Sequence, residues 1–351
     1  MRTNQSIITS SINPSFCEIH IPFFYETSII EAGGSAYSSY VICLACTIKQ
    51  LLISFESLMI RFRYALKLGF IGLGTMGAPM ALNLVKAGFE LIVYDIEPDS
   101  DRVQRVVKQG AKLCNNPSDV SIDTKFVLLS LPTQAISEEV TLGKGGIVQT
   151  AAPGSVIIEL STVSPATIKK LDAAAKSRGI EVLDAPISGG RTGAEAATLT
   201  IMVGGRKETF NRCKPIFESI GKRIYYVGEI GSGEIVKLLN NMLVLTNLIT
   251  TRSVLEIAVK AGIDPKLVHD IINVSTGQSW VWTNWVPTFL ARNTVGSTPD
   301  IFKKDVTIAL EMAENLKLYP ETAIAALNFV RTYTKKQQGT NDISAMFDFL
   351  S

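Results

Sequence analysis

The stretch Leu68-Gly69-Phe70-Ile71-Gly72-Leu73-Gly74-Thr75-Met76-Gly77 decides the fold. Leu68 to Ile71 reads as a short buried strand, and it runs straight into G-x-G-x-x-G. A helical pattern then continues to Lys86 until Gly88 stops it. Each glycine has its own task. The first makes the tight turn, the second lets backbone approach a pyrophosphate, and the third lets the helix pack closely on the strand. With Thr75 and Met76 in the turn, the helix start offers free N–H groups and its positive dipole end to phosphate. Leu91-Ile92-Val93-Tyr94 forms the next strand, and Asp95 follows it, 18 residues after Gly77. A carboxylate there can accept hydrogen bonds from ribose hydroxyls. It also repels a 2′-phosphate, and Ile96-Glu97-Pro98 offers no arginine to hold one, so NAD is favoured over NADP.

Outward from this unit, strand and helix patterns alternate. Phe126–Leu131, Val156–Leu160 and Ile180–Leu183 read as strands with helical stretches between them, which means right-handed βαβ units and a parallel sheet. Thr198–Val203 and Arg223–Val227 look like further strands. After Gly233 the character changes. Glu234 to Ala261 is one long helical pattern without proline or glycine, Gly262 ends it, and Asp264-Pro265 supplies an N-cap and first-turn proline for the next helix. The expected fold is α/β: a Rossmann-type parallel-sheet NAD-binding domain over residues 67–230, then an all-helical domain over 231–351. Residues 1–66 read differently, with ten serines, three of the five cysteines and eight charged residues, four of each sign. They are expected to be a disordered or processed extension; Glu18, Glu26 and Glu31 count against a transit peptide.

Composition excludes several functions. In 351 residues, 34 Lys+Arg face 32 Asp+Glu, for a net charge of +2. That gives no field to hold nucleic acid or an anionic membrane. The most apolar run, Val41 to Ser54, is too short for a bilayer span and carries Lys49. Five cysteines without CxxC spacing argue against a disulfide or zinc framework. A cytoplasmic location is expected ahead of a mitochondrial one. Only His20 and His269 could serve a histidine base or metal site. His269 stands beside Asp270 and is expected to be exposed, so no metal is expected. Cys114 and Cys213 read as core cysteines, while Trp280, Trp282 and Trp285 either line a pocket or pack helices.

Lys237, Asn240 and Asn241 fall at i, i+3 and i+4, one face of a helix, so their heads converge. Lys237 lies in the first turns, where the dipole's positive end disfavours an ammonium. Oxidising an alcohol needs a base for the hydroxyl proton. A lysine would have to lose roughly 3 pKa units, about 4 kcal/mol, to serve near neutrality. Ser188-Gly189-Gly190 follows a strand ending at Asp184-Ala185-Pro186. Alone it reads as a plain turn, although its hydroxyl and successive N–H groups would also suit a carboxylate. Leu131-Pro132 and Ser161-Thr162 follow strands whose C-terminal ends should face the cofactor.

These blocks together resemble the β-hydroxyacid dehydrogenase family, which includes 3-hydroxyisobutyrate and L-threonate dehydrogenases. The resemblance is carried by Phe70 to Gly77, Leu131-Pro132, Ser161-Thr162, Asp184 to Gly190, Gly233-x-x-x-Lys237-x-x-Asn240-Asn241 and Lys304-Asp305, and it runs from about Lys67 to Leu350. It implies an NAD-dependent dehydrogenase of a small 3-hydroxy acid, of 3-hydroxyisobutyrate or L-threonate type. Lys237 would be catalytic, with Asn241 and Ser188-Gly189-Gly190 on the substrate. Leu131 and Pro132 would lie on the adenosine side, Thr162 and Lys304 on the nicotinamide side, and Asp305 would pair structurally. A homodimer or homotetramer is implied. Two departures stand out, Arg191 and Ala197, the latter where many relatives carry glycine. The rival reading is a non-catalytic dinucleotide-binding protein on the same fold.

Overall fold

The computed structural model describes residues 66–336 and 342–350. The readings made for residues 1–65, including the extension, Val41–Ser54 and His20, lie outside the described residues. Among the described residues nine strands form one sheet: β1 Lys67–Ile71, β2 Glu90–Tyr94, β3 Lys112–Leu113, β4 Phe126–Leu129, β5 Val156–Glu159, β6 Glu181–Asp184, β7 Ile187–Ser188, β8 Leu199–Gly204 and β9 Gly221–Gly228. Helices of eight residues or more are α1 Gly77–Lys86, α2 Asp101–Lys108, α3 Gln134–Leu142, α4 Pro165–Lys176, α5 Lys207–Glu218, α6 Ser232–Lys260, α7 Pro265–Asn273, α8 Trp280–Leu290, α9 Pro299–Asn315 and α10 Glu321–Lys336. A 3₁₀ segment, Ile343–Leu350, follows.

The sheet order is β3-β2-β1-β4-β5-β6-β8-β7, with β9 on β8, and β3 through β6 run parallel. The central strands are covered by helices on both faces, so they are continuous apolar runs; β4 (Phe126 to Leu129) is buried throughout. Alternate side chains feed two cores. Leu68, Phe70, Leu128 and Ile158 enter one, and Ile71, Val127, Leu129 and Ile157 enter the other. The sequence pattern placed the strands but not the direction of β8, which is antiparallel to both β6 and β7, while β9 is parallel to β8. The cause is local. After Pro186 the chain spends its connection on β7 and the short helix Gly190–Glu195, so it re-enters the sheet as a hairpin rather than a crossover.

Helix α6, 29 residues or about 43 Å long, is the spine of the helical region. By length and composition it could cross a bilayer, but it carries Lys237, Asn240 and Asn241 and packs on β8 at its start and on α9, α10 and α8 beyond. Leu245, Leu248, Trp282, Val286, Val306 and Phe347 form the third core. Asp264 caps α7 by accepting the Lys266 N–H at 2.9 Å. One expectation is overturned here. His269 is buried, at 9% exposure, because α7 packs on α8 and its ring stacks on Trp282 at 6.1 Å. Trp282 is core, whereas Trp280 is exposed and meets the edge of Trp285. Cys213 is buried and its thiol is pushed up to about 12 by desolvation, an inert core thiol; Cys114 is half-buried.

Candidate active site

The loops after β1, β2, β4 and β5 all leave the same edge of the parallel sheet, so Gly72, Asp95, Leu131 and Thr162 share one rim. Gly72 turns the chain at φ +91°, and a Cβ there would overlap the Ser130 carbonyl. A Cβ on Gly77 would overlap the Gly72 carbonyl, so helix and turn touch through bare backbone. Gly74 differs: a Cβ would meet nothing within 4 Å. Its backbone faces open space, as a cradle for a pyrophosphate requires. Asp95 takes the Leu73 N–H at 2.6 Å on Oδ2 and the Glu97 N–H at 2.9 Å on Oδ1. Each oxygen keeps a lone pair, so the carboxylate braces the glycine turn and can still accept from a ribose. Thr75 and Pro132 are exposed on this rim, and Met76 and Leu131 are half-buried. Leu131 donates its N–H to Ser161 Oγ at 2.7 Å, tying the β4 and β5 loops together.

Lys237 stands on the second turn of α6. Burial pulls its amine below the ordinary lysine range, and Lys304 adds to that, against Asp305 and Glu234 pulling it up. Next to it runs a polar chain. Asn240 Nδ2 donates to Asn241 Oδ1 at 3.0 Å, Asn241 Nδ2 to Asp305 Oδ2 at 2.6 Å, and Lys304 Nζ lies 3.1 Å from Asp305 Oδ1. Lys304 Nζ also donates to the Thr162 carbonyl at 2.6 Å. The helical region thus reaches the cofactor rim through Lys304, which joins Lys237, Asn241, Lys304 and Thr162 into one neighbourhood.

Ser188 is half-buried at the end of β7, and Gly189 and Gly190 are exposed with φ of +134° and +61°. No hydrogen bond among the described residues links this turn to the lysine cluster. Arg191 is spent on Glu195 at 2.8 Å. Ala197, in a glycine position by resemblance, keeps the glycine-like path with φ +53°.

Four buried carboxyl groups complete this site, and of them only Asp305 was given a place in the sequence reading, as a structural partner. Asp305, 1% exposed, is central rather than peripheral, and its place beside Lys304 was the signal for it. Asp184 accepts the Gly231 N–H at 2.7 Å and the Glu234 N–H at 3.0 Å, capping α6 from the end of β6. A Cβ on Gly233 would overlap the Met202 carbonyl and come within 2.8 Å of Asp184 Oδ2, so this close approach needs glycine. Glu159 accepts the Ser161 N–H at 2.9 Å, and burial raises its pKa. Glu234 is the fourth. Among the described residues no cluster of three or more metal-ligating side chains occurs.

Comparison with known proteins agrees with this layout. Residues 67–228 match the NAD binding domain of 6-phosphogluconate dehydrogenase, and residues 231–350 match the domain described as the NAD-binding part of NADP-dependent 3-hydroxyisobutyrate dehydrogenase. The chain is 39% identical to 2-(hydroxymethyl)glutarate dehydrogenase of Eubacterium barkeri, over 76% of this chain and 88% of that one. It is 34% identical to the NAD-dependent L-serine dehydrogenase of Pseudomonas aeruginosa, over 80% and 96%. Among solved structures, 3-hydroxyisobutyrate dehydrogenase of Mycobacterium tuberculosis with L-serine superposes with a TM-score of 0.74 at 27% identity, covering 81% of this chain and 99% of that one. The chain belongs to the β-hydroxyacid dehydrogenase family, NAD-dependent oxidoreductases that act on the CH–OH group of hydroxy acids.

Proposed function

We propose that the chain oxidises the primary alcohol of a 2-substituted 3-hydroxypropanoate, with Lys237 as general base. The observation that carries this reading is the Lys237 amine, held below the ordinary lysine range beside the chain from Asn241 through Asp305 and Lys304 to Thr162. The substrates named by three relatives, 2-(hydroxymethyl)glutarate, 3-hydroxyisobutyrate and L-serine, share the frame HO–CH2–CH(R)–COO⁻.

When bound, NAD supplies the hydride acceptor. Lys237, as the free amine, takes the hydroxyl proton as the carbonyl forms; its lowered pKa favours that free amine. Asn241, fixed by Asp305, orients the substrate. Ser188, Gly189 and Gly190 present a hydroxyl and free N–H groups to the carboxylate. Lys304 latches the helical region to the Thr162 loop and closes the nicotinamide side. A homodimer or homotetramer is part of the same proposal, supported by apolar Leu239, Leu243 and Ile257 exposed along α6.

A substrate panel tests this. Purified protein with NAD is expected to form NADH with at least one of 3-hydroxyisobutyrate, L-serine, 2-(hydroxymethyl)glutarate or glycerate, and not with L-threonate or 4-hydroxybutyrate. NAD binding without turnover of any of these acids would overturn the proposal and favour a non-catalytic binder.

A further inference from the structure

We propose that Glu234 is a positioning residue that shares Lys237's proton, holding one while Lys237 is the free amine and releasing it as Lys237 takes the alcohol's proton. The proposal rests on Lys237 being the base.

Glu234 lies three residues before Lys237 on the same face of α6. It is 0% exposed, and neither carboxyl oxygen finds a hydrogen-bond partner among the described residues. A charged carboxylate is not stable in such a place. The groups that face it make this stronger: Asp184 from β6, Glu159 from β5 and Asp305 from α9 all repel a charge on it, and against them stand the nearby Val163 backbone N–H and the Lys237 amine on its own face. Burial first, then Asp184 and Glu159, holds its pKa well above the ordinary glutamate range, which favours the neutral acid in the resting site.

Proton uptake by Lys237 reverses the balance. An ammonium on the half-buried Lys237, next to the fully buried acids, gains from a counter-charge. Asp305 is already matched by Lys304 at 3.1 Å and tied to Asn241 at 2.6 Å, which leaves Glu234 as the acid on the lysine's own face without a partner. In the oxidation the hydroxyl proton goes to Lys237 Nζ and the C–H electron pair goes to NAD. The Glu234 O–H bond then breaks, and its proton leaves for solvent. One proton is released for each NADH, and the pair passes from two neutral groups to an ion pair with no change in net charge.

The test is a single turnover followed at once by NADH absorbance and a pH-indicator dye in weak buffer, on the full chain with whichever acid of the panel is oxidised. Wild type is expected to release one proton in the same phase as each NADH. Glu234→Gln, which removes the counter-charge, is expected to form NADH more slowly and to release its proton only in a phase later than that NADH. Proton release in step with NADH in the variant would overturn the proposal. Infrared spectra of the resting wild type need neither substrate nor a folded variant. A protonated-carboxyl C=O band that disappears when the bulk pH is raised past the folded value of a buried acid is expected, and its absence at neutral pH overturns the proposal. If no acid gives NADH with wild type, the oxidation reading has failed, whereas a missing infrared band still rules out a protonated Glu234.

Discussion

Lys237 and Glu234 sit three residues apart, yet burial moves their pKa values in opposite directions, down for the amine and up for the acid. For Glu234 this has a thermodynamic signature. Its folded pKa is raised, so between the ordinary glutamate range and the folded value the native state holds a proton that the unfolded chain has lost. Its contribution to stability is complete below the glutamate range and falls as pH rises through that window. Glu234→Gln removes the slope, so the variant's melting temperature should gain on wild type as pH rises above the ordinary glutamate range. A difference between the two that does not change with pH would place the carboxylate in its charged form. Ala197 offers a second residue-level test. At φ +53° an alanine is strained where a glycine is not, and Ala197→Gly should stabilise by about 0.5–1 kcal/mol, seen as a thermal midpoint higher by roughly 1–3 °C. Asp95 offers a third: NADP should bind at least about tenfold more weakly than NAD by calorimetry, because its 2′-phosphate meets a carboxylate. Spacing put Lys237 and Asn241 on one helix face, since i and i+4 lie together, but their roles came only from the resemblance. Asp184, Glu159 and Glu234 had no such reading, because what sets their roles is complete burial, and a charged residue in a sequence gives no sign of it.

At the scale of elements, the long helix is held from outside itself. Its first turn has no side-chain cap of its own; Asp184 reaches over from β6 to take the Gly231 and Glu234 N–H groups. Asp184→Ala would leave two buried donors unpaired, and should cost about 3 kcal/mol by denaturant melting while loosening the turn that aims Lys237. Such a cap is invisible to local pattern, because the capping residue lies 47 positions from the first N–H it serves. The strands fared differently. Periodicity placed β1, β2, β4, β5 and β6 to within two residues, since apolar runs between turn residues mark buried parallel strands. The reversal of β8 escaped it because direction depends on how a connection folds, and Gly189-Gly190 gives the hairpin path without changing the apolar pattern.

Across the whole molecule, the polar chain from Asn240 to Thr162 crosses from the helical region to the cofactor rim through one lysine. Removing that crossing should separate binding from chemistry. Lys304→Met is expected to lower the melting temperature, because it strands the buried Asp305 carboxylate, and to raise the Michaelis constant for NAD severalfold. Every step nevertheless returns to the Lys237 amine. The most direct measurement is the rate of NADH formation by Lys237→Met under saturating NAD and substrate, with NAD affinity measured in parallel. Loss of at least about 10²–10⁴-fold in rate with unchanged NAD affinity is the result the account predicts; a variant that turns over like wild type would contradict it.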